Sequence, residues 1–147
     1  MKVYKIDIKI NASKEAVWNE ITNFKNYPKW NSILEMKEND SLIVGEKFSV
    51  TINKPNGKKS KFKATTLSKE DYQSFSAQQK IIGDWFFSAV HHFTVREIDP
   101  TQVLFIQKWE LKGIISSLFR KQIFEELESF NQMNIELKDK LEQKQYR

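Results

Sequence analysis

The stretch of sequence that decides the fold runs from Ala12 to Asn31 and reads ASKEAVWNEITNFKNYPKWN. Ser13 predicts a helix start, because its hydroxyl can accept a hydrogen bond from a free backbone N–H of the first turn. Val17, Trp18 and Ile21 then share one side of that helix. A second short helix follows, with two aromatic residues, and it ends at a proline and a tryptophan. This much aromatic bulk on two short helices needs a concave partner surface that buries it, so we interpret it as mainly structural.

Alternation of apolar and polar residues predicts a strand before this stretch and six strands after it. The predicted strands are 3–10, 33–37, 47–53, 61–67, 72–80, 88–98 and 102–111. Asn56-Gly57 and Asp99-Pro100-Thr101 mark turns between two pairs of them. The apolar face of the first strand consists of Tyr4, Ile6, Ile8 and Ile10.

From Ile114 to about Gln145 the apolar period changes to that of a helix, which predicts one helix roughly 45 Å long. Its apolar stripe consists of Ile115, Phe119, Ile123, Leu127, Phe130, Met133, Leu137 and Leu141. Such a helix is not stable alone in water and must lie on an apolar surface. The inner face of the strands is that surface, so the pattern predicts an α+β helix-grip fold. In it, a curved antiparallel sheet of about seven strands wraps around a long C-terminal helix.

Several motifs resemble the START-like superfamily, also called Bet v 1-like, SRPBCC or polyketide-cyclase-like. The first is Ser-x-x-x-Val-Trp followed by Phe-x-x-Tyr-Pro-x-Trp-Asn, from Ser13 to Asn31. Later ones are the hairpin 45–57, the strand 91–95, the junction 111–113 and the Phe-x-x-Met-Asn-x-x-Leu-Lys ending 130–138. The resemblance covers essentially all of residues 1–147 as a single domain. It implies the helix-grip fold and a cavity between sheet and helix, and it leaves the function open, since this fold hosts many functions.

Length and composition limit the classes of protein to which this chain can belong. The 147 residues fit one domain, and no run of about 18 apolar residues is present, so no transmembrane segment is expected. The N-terminus alternates like a strand and lacks the apolar core of a signal peptide. The absence of cysteine excludes disulfides, thiolate catalysis and zinc–thiolate sites, and it fits a cytoplasmic protein.

The net charge of +5 comes mostly from lysine. The densest run surrounds the Pro55-Asn56-Gly57 turn and consists of Lys54, Lys58, Lys59, Lys61 and Lys63. One interpretation is an interaction module in which this 54–63 hairpin docks an anionic surface. The other is a solvated hairpin whose charges discourage edge pairing. The run has no arginine, and its one aromatic residue, Phe62, is predicted to face inward, so it lacks the interleaved side chains that stack on and read bases and no nucleic acid is expected as a partner.

Alternation places mostly apolar side chains on the inner face of the strands, with Gln79, His91 and Gln107 as the polar exceptions. Such a wall suits a hydrophobic or aromatic small molecule, lipid-like or polyketide-like. The residues predicted to bind it are Phe75, His91, Phe93, Phe105, Gln107, Trp109 and Phe130. The alternative is that these bulky side chains fill the space as a solid core.

His91 is the candidate for chemistry. An imidazole in an apolar cavity can act as general acid or base near neutral pH, or it can hydrogen-bond a ligand. The commoner outcome is a buried histidine satisfied by its neighbours. His92 should face the opposite way, so the two histidines do not chelate one metal; we expect neither a metal nor another cofactor.

Three further features bear on the function. Members of the superfamily often have a histidine and a glutamate where this chain has Gln107 and Trp109, and this departure from the family pattern argues against an acid–base mechanism at those two positions. Glu126 either points a carboxylate at the cavity or lies on the flank of the helix and reaches water. The aromatic loop from Gly83 to Phe87 is a lid, an apolar membrane-touching tip, or a plain turn against the C-terminal helix.

Three functions follow from these patterns. The first is binding of a hydrophobic or aromatic small molecule in the cavity. The second is a cyclase- or dehydratase-type enzyme, by analogy with superfamily members, in which His91 would be the acid or base. The third is the interaction module of the 54–63 hairpin. The protein is expected to be a monomer or a homodimer.

Overall fold

The structure is a computed structural model that describes residues 1–143. Seven strands form one antiparallel sheet in the spatial order β1-β7-β6-β5-β4-β3-β2. Their bounds are β1 Lys2–Ile10, β2 Leu34–Met36, β3 Lys47–Asn53, β4 Lys59–Glu70, β5 Ser74–Ile81, β6 Phe87–Asp99 and β7 Gln102–Lys112. Each predicted strand is present, with ends displaced by at most three residues. The predicted helix-grip fold is confirmed.

The sheet has an apolar inner face because alternate residues of each strand point the same way. On β1, Ile6 and Ile10 are buried and Tyr4 and Ile8 are half-buried, whereas the residues between them are exposed. The core also takes alternate residues of β3 to β7, among them the fully buried Phe105. The predicted inner face of the sheet is therefore the observed one.

The two short helices after β1 are α1 (Lys14–Thr22) and a 3₁₀ helix (Phe24–Lys29). Ser13 caps α1, since its Oγ accepts a hydrogen bond from the N–H of Ala16 at 3.1 Å. Tyr27 is fully buried and its hydroxyl donates to the carbonyl of Ile21. Trp18 packs edge-on against Phe75 of β5, with the ring centroids 5.9 Å apart. These aromatic side chains belong to the core.

The C-terminal helical region differs from the single helix that the periodicity predicts. It consists of α2 (Ile114–Leu118), α3 (Arg120–Glu128) and α4 (Phe130–Glu142), and the predicted end near Gln145 lies outside the described residues. At Phe119 the backbone leaves helical values, with φ −114° and ψ 27°. At Ser129 the break is slight, and Oγ donates to the carbonyl of Glu126 at 2.5 Å. The apolar stripe is buried from Leu127 onward, whereas Phe119 is half exposed.

Within residues 1–143, none of the helices has both the length and the apolar composition that crossing a bilayer requires.

Candidate functional site

An apolar pocket of about 140 Å³ lies between the inner face of the sheet and α3. Three small residues on its wall, Ala64, Ala77 and Ala89, leave space that the larger side chains of the same face do not fill. Helix α3 closes the opposite side with Ile123 and Leu127. The lining is apolar except for Ser60, Gln79, His91 and Glu126.

The imidazole of His91 is sandwiched between two aromatic rings on the pocket wall. Its centroid lies 4.0 Å from that of Phe93 and 4.2 Å from that of Trp109, and the imidazole plane makes angles of 29° and 25° with these two rings. Phe75 extends the stack beyond Phe93, at 4.4 Å, and Phe130 of α4 meets the imidazole edge-on. Strand register builds this stack, because His91 pairs with Trp109 across β6 and β7 and Phe75 pairs with Phe93 across β5 and β6.

A chain of hydrogen bonds fixes the orientation of the ring. His91 Nε2 lies 2.8 Å from Gln107 Oε1, and because an amide oxygen only accepts, Nε2 carries the proton. The amide nitrogen of Gln107 donates to Asn134 Oδ1 on α4 at 2.7 Å. Both amide side chains are buried. No group in residues 1–143 hydrogen-bonds to the other ring nitrogen, so His91 Nδ1 is an unoccupied acceptor.

Desolvation by burial lowers the pKa of His91 to about 3. The hydrogen bond with Gln107 opposes this shift of the pKa, and the nearby His92 adds to it. His91 is therefore a neutral ring at pH 7. A general acid or base works best when its pKa lies near the working pH, so this environment disfavours an acid–base role for His91.

The sequence-predicted ligand residues fall into two groups. Four of them form the stack on the pocket wall: Phe75, His91, Phe93 and Trp109. The other three lie behind that wall in the core: Phe105, Gln107 and Phe130. Gln107 orients the His91 ring of the pocket wall by a hydrogen bond, and Phe130 of α4 packs against the Trp109 ring of the stack. Binding of a ligand by any of the seven stays a prediction.

An ion pair crosses the edge of the pocket where it meets solvent. Lys54, just after β3, places Nζ 3.2 Å from Oε1 of Glu126 on α3. Glu126 lines the pocket and its side chain is 44% exposed, so both interpretations of its position hold in part. No local pattern predicts this pairing, because the partners lie 72 positions apart along the chain. The hydrogen bond from Gln107 to Asn134 was likewise not predicted.

Of the other lysines of the 54–63 hairpin, one forms an ion pair within residues 1–143 and three do not. Lys59 pairs with Glu35 of β2 at 2.8 Å, and the Glu35 carboxyl has its pKa lowered mainly by that hydrogen bond. Within the described part of the chain, Lys58, Lys61 and Lys63 form no ion pair and are exposed. Docking of an anionic surface by this hairpin stays a prediction.

His92 faces away from the pocket, as its strand position predicts. Its Nε2 contacts the carboxylate of Glu110 on the outer face of the sheet. In the part of the chain that the structure describes, no three histidine, aspartate or glutamate side chains are grouped closely enough to hold a metal ion.

Comparison with known proteins gives no match to a family model and none to a curated protein sequence. Solved structures do match. A START superfamily protein from Mycobacterium smegmatis aligns with a TM-score of 0.70 at 17% identity, over 96% of this chain and 97% of that one. This protein has the START-like fold.

Two other solved structures align over most of this chain. Norcoclaurine synthase from Thalictrum flavum, in complex with dopamine and hydroxybenzaldehyde, aligns with a TM-score of 0.68 at 13% identity, over 94% of this chain and 84% of that one. The di-domain ARO/CYC BexL aligns with a TM-score of 0.70 at 12% identity, over 97% of this chain and 47% of that one. At such low identity the likeness concerns the fold alone.

Proposed function

We propose that the protein binds a small aromatic or hydrophobic molecule that carries a hydrogen-bond donor, in the pocket between the sheet and α3. The observation that carries this proposal is the unoccupied acceptor Nδ1 of His91 in an otherwise mostly apolar wall. Binding sites for small molecules combine an apolar lining with a few polar groups that orient the ligand. A hydroxyl or N–H group of the ligand would satisfy Nδ1.

The size of the pocket narrows the ligand class. A dry apolar cavity of about 150 Å³ admits a benzene-sized guest. The pocket here has about 140 Å³ and opens to solvent at one edge, so it favours one enclosed aromatic ring, with room for a second fused ring at the open edge, over a long acyl chain. The stack of Phe75, Phe93, His91 and Trp109 offers edges and faces to a flat ring. The aromatic ligands of norcoclaurine synthase are consistent with this class.

The test uses β-naphthol and its methyl ether as probes, with binding measured by calorimetry and by the shift in melting temperature. We expect β-naphthol to bind and the ether, which cannot donate, to bind about tenfold more weakly, because His91 Nδ1 is left without a donor. Ala89→Phe should fill the pocket and abolish binding. Val90→Phe, on the outer face of the same strand, is the matched control and should leave binding unchanged.

Two results would count against the proposal. One is that neither probe binds the folded wild type. The other is that Ala89→Phe binds as well as the wild type, which would place the ligand elsewhere. If Ala89→Phe does not fold, the smaller change Ala89→Leu serves the same purpose, with far-ultraviolet circular dichroism as the check on folding.

A further inference from the structure

Exposed apolar side chains gather at one end of the sheet, on the last residue of β5, the loop that follows it, α2 and the residue after α2. We call this set the apolar tip: Ile81, Ile82, Trp85, Ile114, Leu118 and Phe119. Each is between 45 and 75% exposed, and together they are six of the 14 exposed large apolar residues in the described part of the chain. Single exposed apolar residues are ordinary, whereas a contiguous set marks an interaction surface.

The loop and α2 form one unit. The N–H of Ile114 donates to the carbonyl of Trp85 at 3.0 Å, and the N–H of Ile115 donates to the carbonyl of Phe86 at 3.1 Å. Gly113 allows this approach, because a Cβ there would lie 2.3 Å from the oxygen of Phe86. The loop is therefore fixed to the helix, while Trp85 projects into solvent with 65% exposure.

Ile82 is a residue of the tip whose side chain the stability of the fold does not explain. It has φ +68°, a left-handed conformation that β-branched residues rarely adopt. It is also 75% exposed, so it gains little from burial. Asparagine or glycine would occupy this position with less strain. An isoleucine here adds apolar surface at the most exposed point of the loop.

Four cations flank the segments of the apolar tip: Lys80 and Lys112 at the ends of β5 and β7, and Arg120 and Lys121 at the start of α3. Asp84 of the loop pairs with Lys80 at 3.5 Å, and Glu125 and Glu128, one to two turns further along α3, line a groove with Arg120 and Lys121. Apolar residues with tryptophan, bordered by lysine and arginine, are the composition of surfaces that bind anionic lipid. A second copy of the chain fits less well, because a twofold interface would bring two like-charged sets of cations together.

We propose that the apolar tip docks on an anionic lipid bilayer, with Ile82, Trp85 and Leu118 in the boundary between headgroups and acyl chains. The docked end lies beside the pocket, since Phe87 at the start of β6 and Leu111 near the end of β7 line it. Docking at the tip does not require the pocket to bind a ligand, so the two proposals can fail independently.

The test is co-sedimentation of the protein with vesicles of phosphatidylcholine alone and of phosphatidylcholine mixed with phosphatidylglycerol. We expect binding to the mixed vesicles that weakens as salt rises. The double variant Trp85→Ser/Leu118→Ser should bind about tenfold more weakly, because it removes two apolar contacts with the bilayer. Ile43→Ser/Val44→Ser is the matched control, since those residues are 51% and 58% exposed on another loop. All four side chains are exposed, so melting temperatures should stay close to that of the wild type.

The cations are tested by Lys112→Gln/Lys121→Gln, which should weaken binding to the mixed vesicles, against Lys58→Gln/Lys61→Gln in the 54–63 hairpin, which should not. Three outcomes would overturn the proposal. The wild type does not bind the mixed vesicles; the hairpin variant loses binding while both tip variants retain it; or sedimentation velocity shows a dimer that Trp85→Ser/Leu118→Ser dissociates, which would make a second copy the occupant.

Discussion

His91 shows how its surroundings decide what one residue can do. The same imidazole would titrate near neutral pH in water, but desolvation between Phe93 and Trp109 lowers its pKa to about 3. Gln107 then holds the proton on Nε2 and leaves Nδ1 as an acceptor. A group that looked like a candidate acid or base in the sequence thus becomes a fixed hydrogen-bonding group in the structure.

The lowered pKa of His91 makes stability depend on pH. The unfolded chain binds a proton at His91 below pH 6.5, whereas the folded state does not until about pH 3. The contribution of the neutral ring is complete above pH 6.5, and it is lost as pH falls towards 3, by up to about 1.4 kcal/mol per pH unit. Urea unfolding at a series of pH values should therefore show a shallower loss of stability in His91→Gln than in the wild type. His92→Gln is the control and should keep the steeper slope; equal slopes in wild type and His91→Gln would refute the shift.

Ile82 offers a second test at the residue scale. Ile82→Asn should raise the free energy of unfolding by about 1 kcal/mol, because asparagine adopts φ near +68° with less strain. The same change should weaken binding to anionic vesicles. Ile81→Asn on the neighbouring strand position lacks the positive φ and should not stabilise the protein. A lower melting temperature for Ile82→Asn than for Ile81→Asn would contradict this account of the backbone.

At the scale of elements, the junction between β7 and α2 sets where the C-terminal helices begin. Gly113 has φ +99° and ψ 167°, a region that is essentially restricted to glycine. The backbone turns there and brings α2 against the carbonyls of Trp85 and Phe86. Helical periodicity depends on which side chains are apolar and does not report the backbone turn at Phe119. It therefore predicted one helix where the structure has three helical segments.

We expect Gly113→Ala to lower the free energy of unfolding by at least about 2 kcal/mol, from the dihedral strain together with the contact with Phe86 O. Gly45→Ala separates the two causes. Gly45 also has a positive φ, +88°, but no atom lies within 4 Å of the added Cβ. Its cost should therefore be about 1 kcal/mol, from the strained dihedral alone. Equal losses in urea unfolding would show that the contact with Phe86 adds nothing.

At the scale of the whole molecule, the ion pair between Lys54 and Glu126 links the β3–β4 hairpin to α3 at the solvent edge of the pocket. Both side chains are partly exposed, so the pair contributes less than about 1 kcal/mol to stability. Because Glu126 also lines the pocket, we expect the pair to affect access to the pocket more than folding.

Lys54→Gln should leave the melting temperature nearly unchanged and should speed release of bound β-naphthol by roughly two- to fivefold, the effect of losing a partly exposed ion pair. Stopped-flow fluorescence measures the rate. Lys59→Gln breaks the comparable pair with Glu35 on the sheet and should not alter the rate. The same release rate in Lys54→Gln as in the wild type would remove this pair from the pathway of entry and exit.

Alternation and helical period in the sequence determined the fold and most of the inner face, because burial of one face constrains every second strand residue and each third or fourth helix residue. They placed Phe75, His91, Phe93 and Trp109 on one face. Only the tertiary structure decided how these rings stack and which nitrogen of His91 has no hydrogen-bond partner in the described part of the chain. It also decided that Gln107 bonds to Asn134 and that Lys54 forms an ion pair with Glu126. It further decided that the β5–β6 loop and α2 are joined by backbone hydrogen bonds, with exposed apolar side chains on both. These features depend on register and on contacts between residues far apart in the chain, which no local pattern encodes.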